Sequence, residues 1–275
     1  MLSELDGRVA VVTGAGSGIG AALCRRLSSE GMRVVGADID GHAAAATASA
    51  LDGARGVQVD VADPASVAAL ADTAFEAFGR VDLLCNNAGV FQGGLSWARS
   101  EGDWDWVLGV NLYGIVHGIS AFVPRMIEQR TEGHVVNTAS VASFVSGPYS
   151  SPYIVSKAAA LALSECLAHD LAAVDAPIGV SVLIPSAIDT GIARTARVRP
   201  GRYGTDETDD GAFTVEMLAA TTSAGITADE VAGLVVDAVR TGTFLVPTKP
   251  SYADQLRSRC DALVARTLPP MPVVD

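Results

Sequence analysis

Short runs of apolar, mostly β-branched residues alternate along the chain with longer stretches of helical periodicity. The apolar runs predict strands over residues 9–12, 33–37, 56–59, 81–85, 134–138, 179–184 and 243–246. A first helix ends near Gly31, and further helical patterns lie at 43–51, 64–79, 103–130, 152–173 and 227–241. Because strands that alternate with helices form βαβ units, we expect an α/β fold: one doubly wound parallel sheet with helices on both faces. Ligands bind such a sheet beyond the carboxyl ends of its strands.

Local signals place one helix closely. Asp63 and Pro64 are typical of a helix N-cap and first helical position, and Gly79 is typical of a helix end. We therefore expect the third helix to begin at Pro64 and to stop at Gly79.

Residues 191–225 interrupt the alternation with glycine, threonine, arginine and acidic residues. A long irregular segment inside one domain is often a lid over a site. We therefore expect one domain over residues 1–275 with a substrate lid at about 191–225. Four lid arginines suggest an anionic substrate, but acidic residues that follow can pair with them, so we favour a solvated lid. The arginines are Arg194, Arg197, Arg199 and Arg202, and the acids are Asp206, Glu207, Asp209 and Asp210.

Charge and cysteine usage exclude several classes of function. The 275 residues carry 31 acidic and 19 basic side chains, a net charge of −12, which argues against nucleic acid or an anionic membrane as a partner. The four cysteines are scattered, so we expect buried free thiols in a reducing compartment rather than disulfides. The histidines show no zinc spacing, and we expect no metal site. No signal peptide or stretch of ~20 apolar residues is recognisable, so we expect a cytoplasmic protein.

A glycine-rich turn, TGAGSGIG at residues 13–20, lies between the first predicted strand and the first helix. Its glycines allow a tight turn and the close approach of a pyrophosphate, and the helix N-terminus supplies free amide donors. The residues assigned to a dinucleotide here are Gly14, Ser17, Gly18, Ile19 and Gly20. Asp38 ends the second strand, where its carboxylate can accept hydrogen bonds from ribose hydroxyls and repel a 2′-phosphate. The pattern therefore favours NAD over NADP.

Two further segments follow strand ends and extend the expected cofactor site. Asn87, Ala88 and Gly89 come after the strand at 81–85, and such small residues let a cofactor lie close to the backbone. Asp60 and Val61 end the third strand, where adenine can rest.

Tyr153 and Lys157 lie four residues apart in the run YIVSK, thirteen residues after Ser140. On a helix this spacing puts the phenol and the ammonium on one face. A nearby ammonium favours the phenolate, so we expect Lys157 to lower the pKa of Tyr153 from its ordinary value of about 10. Tyr153 would then be a usable proton carrier at a neutral pH.

Taken together, these motifs resemble the short-chain dehydrogenases/reductases, in the compact subgroup of about 250 residues. The resemblance runs from about residue 7 to 190 and includes TGAGSGIG, Asp38, Asp60, NNAG at 86–89, Asn111, Ser140 and YIVSK. It implies a Rossmann-like fold and an oxidoreductase that interconverts an alcohol and a ketone by hydride transfer. A homotetramer or homodimer is also implied by this analogy.

The resemblance also implies the role of each matching residue. Tyr153 would be the general acid/base, Ser140 would hydrogen-bond the substrate oxygen, and Lys157 would hold the nicotinamide ribose. Asn111 would keep a helix locally open, so that water links Lys157 to solvent. The segment after the sixth strand would contact the nicotinamide through Pro185, Ile188 and Thr190. Ser186 departs from the family's usual Pro-Gly and puts a side chain near the substrate.

The substrate itself is expected to be a lipophilic secondary alcohol or ketone in an apolar pocket. The residues assigned to it, besides Ser140 and Tyr153, are Gln92, Phe144, Tyr149 and Ser186. Two alternatives stay open. One is a redox-inactive dinucleotide sensor, which typically loses the tyrosine or lysine. The other is a cofactor-free lyase similar to a halohydrin dehalogenase, which replaces the dinucleotide turn with an anion pocket.

Overall fold

The computed structural model describes residues 2–204 and 208–271. Its strands are β1 Val9–Thr13, β2 Arg33–Asp38, β3 Arg55–Gln58, β4 Leu83–Asn86, β5 Gly133–Thr138, β6 Ile178–Ile184 and β7 Leu245–Pro247. Its α-helices are α1 Gly18–Ser29, α2 Gly41–Ser49, α3 Pro64–Phe78, α4 Glu101–Leu108, α5 Gly114–Glu128, α6 Ser151–Ala173, α7 Asp209–Ser223, α8 Ala228–Thr241 and α9 Tyr252–Val264. A π-helical turn, Gly109–Tyr113, joins α4 to α5.

The strands form one seven-stranded parallel sheet in the order β3-β2-β1-β4-β5-β6-β7. In the central strand, Val11 is opposite Val35 of β2 on one side and Leu84 of β4 on the other. The order of the strands reverses between β1 and β4, which opens a crevice at their carboxyl ends. The predicted doubly wound, Rossmann-like fold is confirmed.

Apolar side chains bury both faces of this sheet. On one face, Leu23 and Leu27 of α1 pack with Val235 of α8 against the strands. On the other face, Leu70 of α3 and Phe122 of α5 pack in a second cluster. Every residue of β1 is buried, as expected for a central strand that is covered on both sides.

The predicted ends of α3 are confirmed. The Asp63 carboxylate caps the helix by accepting from the amide of Ala65 at 3.0 Å, and Pro64 is the first helical residue. Gly79 ends the helix in the left-handed region at φ 73°, where glycine carries no steric penalty.

The described parts of the segment at 191–225 are largely helical, whereas we expected an irregular segment. It holds a 3₁₀ stretch at Ile192–Val198, a further turn at Gly201–Tyr203, and the fifteen-residue helix α7. Thr208 caps α7, and acidic residues in its first turn complement the helix dipole. The predicted acids Asp206 and Glu207 lie outside the described residues.

Two other expectations need correction. Helices α4 and α5 with the π turn form a stretch of 28 residues, Glu101–Glu128, that is long and apolar enough to cross a membrane. Half of its apolar window is buried in this fold, and Phe122 belongs to the core. The expectation of buried thiols is right for Cys24 and Cys85 but wrong for Cys166 and Cys260, which are exposed.

Candidate active site

A cavity of about 790 Å³ opens at the carboxyl edge of the sheet. It runs from the glycine turn after β1, past the ends of β4 and β5, to the residues that follow β6. Its lining includes Gly14, Ser17, Gly18, Ile19, Gly20, Asp38, Asp60, Val61, Asn87, Ala88, Gly89, Ser140, Tyr149, Tyr153, Lys157, Pro185, Ser186, Ile188 and Thr190. The fold therefore brings most of the predicted site residues to one continuous cleft.

The glycine turn has the shape of a cradle. A Cβ atom on Gly20 would lie 2.0 Å from the carbonyl oxygen of Gly14, and one on Gly14 would lie 2.9 Å from the Cα of Ala88. Gly14 and Gly18 also have φ of +68° and +51°. The close contact and the left-handed φ therefore coincide at Gly14, where glycine alone avoids strain.

The N-terminus of α1 opens into the same cradle. Within the described residues, Ser17 is the N-cap but its side chain makes no capping hydrogen bond, so the first amides of α1 stay available. These donors and the positive end of the helix dipole suit a diphosphate. The turn thus has the shape and the amide donors to fit a dinucleotide.

Asp38 lies at the end of β2 beside the turn. One carboxylate oxygen accepts from the amide of Gly16 at 2.8 Å, and the other accepts from the amide of Asp40 at 3.0 Å. Because each carboxylate oxygen can accept two hydrogen bonds, Asp38 keeps capacity for ribose hydroxyls. Its negative charge also opposes a 2′-phosphate at this place.

Thr13 joins the turn to the segment after β4. Its hydroxyl accepts from the amides of Asn87 and Ala88 at 3.0 and 3.1 Å. The amide side chain of Asn87 donates to the carbonyl of Thr13 at 2.9 Å. These bonds hold Asn87, Ala88 and Gly89 rigidly at the centre of the cleft.

At the far end of the cleft, Asp60 follows β3. Its carboxylate accepts from the amide of Ala62 at 3.0 Å and pairs with Arg202, Nη2 to Oδ2, at 2.5 Å. Val61 is buried beside it. Arg202 belongs to the segment at 191–225 that follows β6, which we call the excursion. The excursion therefore reaches back to the region expected to hold adenine.

Tyr153 and Ser140 meet at the middle of the cavity. The Ser140 side chain lies beside the Tyr153 phenol, and Ser140 Oγ donates to the carbonyl of Pro185 at 3.3 Å. The ring of Phe91 packs edge-on against the Tyr153 ring, with the centroids 5.2 Å apart. A substrate oxygen placed here would face two hydroxyl groups.

Lys157 lies one helical turn beyond Tyr153, but its effect on the phenol differs from our expectation. Lys157 Nζ donates to the carbonyl of Thr138 at 2.9 Å and lies 5.7 Å from the centroid of the Tyr153 ring. Burial raises the pKa of Tyr153, and the nearby Ser140 hydroxyl only partly opposes this rise. Burial also lowers the pKa of Lys157 to about 8. Desolvation therefore outweighs the expected lowering by the ammonium.

Asn111 lies in the π-helical turn between α4 and α5 and is fully buried. Its side chain donates to the carbonyl of Val90 and to Ser156 Oγ, both at 3.0 Å, and accepts from the amide of Val90 at 2.8 Å. π-Helical turns are frequent at functional sites. The helix widens to a π turn at Asn111, and the role of Asn111 in a water path to Lys157 stays a prediction.

The segment that follows β6 forms one wall of the cavity. Thr190 lies against the glycine turn, since a Cβ on Gly18 would contact its side chain at 3.2 Å. Ile188 is buried, and the amide of Ser186 donates to Thr248 Oγ1 at 2.9 Å. Ser186 lines the cavity, as its departure from Pro-Gly predicts.

Two predicted substrate residues do not line this cavity. Phe144 is buried in a core cluster with Ile115 and Ala160. The Gln92 side chain donates to Gly93 and accepts from Arg199 at 3.2 Å, which ties it to the excursion. Neither contact is visible in the sequence, because both depend on tertiary packing.

The substrate end of the cavity includes a wall that the sequence did not reveal. It consists of apolar residues from the 3₁₀ stretch and α7, namely Ile192, Val198, Phe213, Met217 and Leu218. Phe213 packs edge-on against Tyr149, with the centroids 6.1 Å apart. The spacing of Phe213 and Met217, four apart on a helix, was the available signal.

The four excursion arginines separate into different roles. Arg199 pairs with Asp103, and Arg202 pairs with Asp60, two acids that lie outside the segment at 191–225. Arg194 and Arg197 are exposed, and Arg197 lines the cavity.

A family-wide sequence profile described as short chain dehydrogenase matches residues 8–200. The chain therefore belongs to the short-chain dehydrogenase family and is an oxidoreductase of that family, as its motifs predict. The family gives the Tyr153, Lys157 and Ser140 cluster its chemical context.

Named relatives and solved structures agree with this membership. The chain is 37% identical to a 1-deoxy-11-beta-hydroxypentalenate dehydrogenase of Streptomyces exfoliatus, over 94% of this chain and 89% of the relative. It is 30% identical to a C alpha-dehydrogenase of Sphingobium sp., over 98% and 89% of the two chains. A short chain dehydrogenase/reductase from Burkholderia phymatum, solved in complex with NAD, is 41% identical. It superposes with a TM-score of 0.96 over 98% of this chain and 99% of the other.

Proposed function

We propose that the protein is an NAD-dependent dehydrogenase that interconverts a lipophilic secondary alcohol and its ketone. The observation that carries this proposal is the continuity of the cavity. It joins the glycine cradle and Asp38 to the Ser140–Tyr153 pair and then to an apolar end. The NAD complex of the Burkholderia phymatum relative and the hydroxypentalenate dehydrogenases support the cofactor and action on a hydroxyl group.

The chain's own residues would hold the dinucleotide along the cleft. The cradle and the amides of α1 would bind the diphosphate, Asp38 the adenosine ribose, and Asp60 with Val61 would border the adenine. Pro185, Ile188 and Thr190 would border the nicotinamide, and Lys157 its ribose. NAD, when bound, would accept the hydride in oxidation, and NADH would supply it in reduction.

Tyr153 and Ser140 would handle the oxygen of the substrate. In oxidation, the phenolate of Tyr153 would take the hydroxyl proton, and in reduction the phenol would donate a proton to the carbonyl oxygen. Ser140 would donate a hydrogen bond to the same oxygen and stabilise its developing charge. The Ser140 hydroxyl donates to the carbonyl of Pro185 in the structure and would turn its proton to the substrate oxygen on binding.

Lys157 would act on the proton and the ribose rather than on the substrate. A protonated Lys157 near the phenolate lowers the energy of the charged form. Asn111 is fixed by its hydrogen bonds to Val90 and Ser156. Gly89 lies between Asn111 and Lys157, since a Cβ on Gly89 would lie 3.5 Å from Lys157 Nζ. We expect a proton released by Tyr153 to leave through Lys157 and past Asn111.

The apolar end indicates the substrate class. Phe213, Met217 and Leu218 face the cavity from α7, and Val145 and Tyr149 face it from the segment after β5. Such a wall gains most from a bulky hydrocarbon skeleton, at about 25 cal/mol per Å² of apolar surface buried. We therefore favour a secondary alcohol on a large apolar skeleton.

Formation of NADH tests this function. The purified protein is given NAD, or NADP in a parallel assay, with secondary alcohols of increasing apolar size. We expect NADH to form with the larger alcohols and NADP to be used poorly. Failure to bind NADH and to turn over any alcohol would instead favour the cofactor-free lyase, and binding without turnover would favour the sensor. The predicted oligomer and the cytoplasmic location stay predictions.

A further inference from the structure

Four charged side chains meet behind the substrate end of the cavity. Arg199 Nη1 donates to Asp103 Oδ1 at 2.6 Å, and Arg99 Nη1 lies 3.5 Å from the other oxygen of Asp103. Arg99 Nη2 also lies 3.4 Å from Asp210 Oδ1. We name these four residues, Arg99, Asp103, Arg199 and Asp210, the arginine clasp.

The clasp connects three separate segments. Asp103 is fixed at the start of α4, where its carboxylate accepts from the amide of Ser100 at 3.1 Å. Asp210 lies in the first turn of α7 and accepts from the amide of Leu95 at 2.6 Å. Arg199 follows the 3₁₀ stretch and also donates to the carbonyl of Tyr203 at 2.7 Å. The clasp therefore fastens the excursion to the loop before α4.

The clasp is buried to a degree that is unusual for charged groups. The side chains of Arg99 and Asp103 are 0% exposed, and that of Arg199 is 5% exposed. A buried ion pair adds little net stability, because the loss of hydration offsets the attraction between the charges. Apolar side chains of similar volume would hold the fold as well, so stability alone does not account for the clasp.

The excursion that the clasp fastens also supports the wall of the catalytic centre. The Thr195 hydroxyl accepts from the amide of Phe91 at 3.0 Å and lies 3.4 Å from its carbonyl oxygen. Phe91 in turn packs against the ring of Tyr153. Thr195 lies in the 3₁₀ stretch that Arg199 follows, so the backbone joins Arg199 to Thr195, and contacts lead from Thr195 through Phe91 to Tyr153.

We propose that Arg199, held by Asp103, is a positioning residue that fixes the segment at 192–203 and thereby sets Phe91 against Tyr153. The proposal rests on the proposed dehydrogenase function. It assigns to the clasp a role in the catalytic step rather than in folding. The clasp would act through the position of Phe91 against the Tyr153 ring.

The first experiment compares Arg199→Gln and Arg199→Lys with a control, Arg125→Gln. Arg125 pairs with Asp72 at 2.8 Å on the surface, away from the cavity. We expect Arg199→Gln to lower kcat/KM for a bulky secondary alcohol by at least about tenfold, since small displacements of a catalytic wall are costly. Arg199→Lys should restore part of the loss because it keeps the charge, and Arg125→Gln should have no effect. A kcat/KM for Arg199→Gln equal to that of the wild type would overturn the proposal.

A double-mutant cycle tests the route through Thr195. Thr195→Val removes the hydroxyl that holds the backbone of Phe91 and should also lower kcat/KM. If the clasp acts through this contact, the double variant with Arg199→Gln loses little more than the worse single variant. Fully additive losses would mean that the two residues act independently, and would contradict the proposed route.

Amide hydrogen exchange separates this proposal from the proposed function, because it needs no turnover. In Arg199→Gln we expect faster exchange both in peptides covering 192–203 and in peptides covering 90–95, with unchanged exchange in β1. If exchange in either segment matches that of the wild type, the proposed positioning role of Arg199 is overturned. If the wild type oxidises none of the alcohols, the dehydrogenase function fails by itself, and the exchange data still decide whether Arg199 sets the Phe91 segment.

Discussion

Lys157 donates from Nζ to the carbonyl oxygen of Thr138, at 2.9 Å, where β5 ends beside α6. This bond fixes the ammonium at the carboxyl edge of the sheet, within the cleft and 3% exposed. Burial lowers the pKa of Lys157 to about 8, because the hydrogen bond to the carbonyl of Thr138 only partly replaces the lost hydration of the ammonium. The position is suited to catalysis and costs folding stability.

Replacing Lys157 by methionine should stabilise the unliganded protein at neutral pH. The pKa falls from 10.5 in the unfolded chain to about 8 in the fold, a penalty of about 3.5 kcal/mol at about 1.4 kcal/mol per unit. Loss of the hydrogen bond to Thr138 offsets about 1 kcal/mol of that gain. Urea unfolding should therefore show the variant to be about 2.5 kcal/mol more stable at neutral pH.

The sign of the pH dependence is fixed by linkage. Between about pH 8 and 10.5 the unfolded lysine binds a proton that the folded one has released, so wild-type stability rises with pH. The advantage of the Lys157→Met variant should then shrink across this range. Lys249→Met, which removes a partly exposed lysine, is the control and should change little at any pH. An advantage that does not depend on pH would contradict the desolvation of Lys157.

Asp38 should set the preference for NAD. Asp38→Asn keeps a side-chain oxygen for the amide of Gly16, now 2.8 Å away, but removes the charge that opposes a 2′-phosphate. We expect the ratio of the NADH and NADPH dissociation constants to move towards NADPH by about tenfold. Asp38→Ala should weaken NADH further, because the Gly16 amide then loses its acceptor.

Fluorescence titration with both reduced dinucleotides measures this ratio. Asp40→Asn serves as the neighbouring control, since Asp40 caps α2 through His42 and Ala43. An unchanged ratio in Asp38→Asn would place the discrimination elsewhere in the cleft.

Phe213 should set the affinity for bulky substrates. It is 53% exposed without substrate but lines the cavity, so its removal should cost little stability. In Phe213→Ala, KM for a bulky secondary alcohol should rise about tenfold, as expected when the apolar surface of a phenylalanine is lost. KM for propan-2-ol should stay the same. Leu234→Ala, on the outer face of α8, is the control, and an equal rise of KM for both alcohols would contradict the assigned wall.

The local sequence was sufficient for the sheet and the chemical centre. β1, the glycine turn and α1 follow directly from apolar runs and glycines, and Tyr153 and Lys157 share a helix face by their spacing alone. Long-range packing was not readable. α9 was not predicted, and no residue in it is buried, so it carries no strong apolar stripe.

The remaining errors also come from tertiary contacts. Phe144 was placed in the substrate pocket by its apolar character, but β-strand and helix residues enclose it in the core. The pKa of Tyr153 was expected to fall, but its direction depends on burial, which spacing does not show. Arg99 and Asp103, far from the excursion in sequence, gave no sign of their pairing with it.

The most direct test of the account is the Tyr153→Phe variant, assayed for NADH binding and for alcohol oxidation in the same preparation. The change removes only the hydroxyl and keeps the ring that packs against Phe91 at 5.2 Å. We expect NADH to bind as in the wild type, and oxidation to fall by at least about a hundredfold, the contribution of a general base. Oxidation at the wild-type rate would show that Tyr153 is not the proton carrier and would contradict the proposed mechanism.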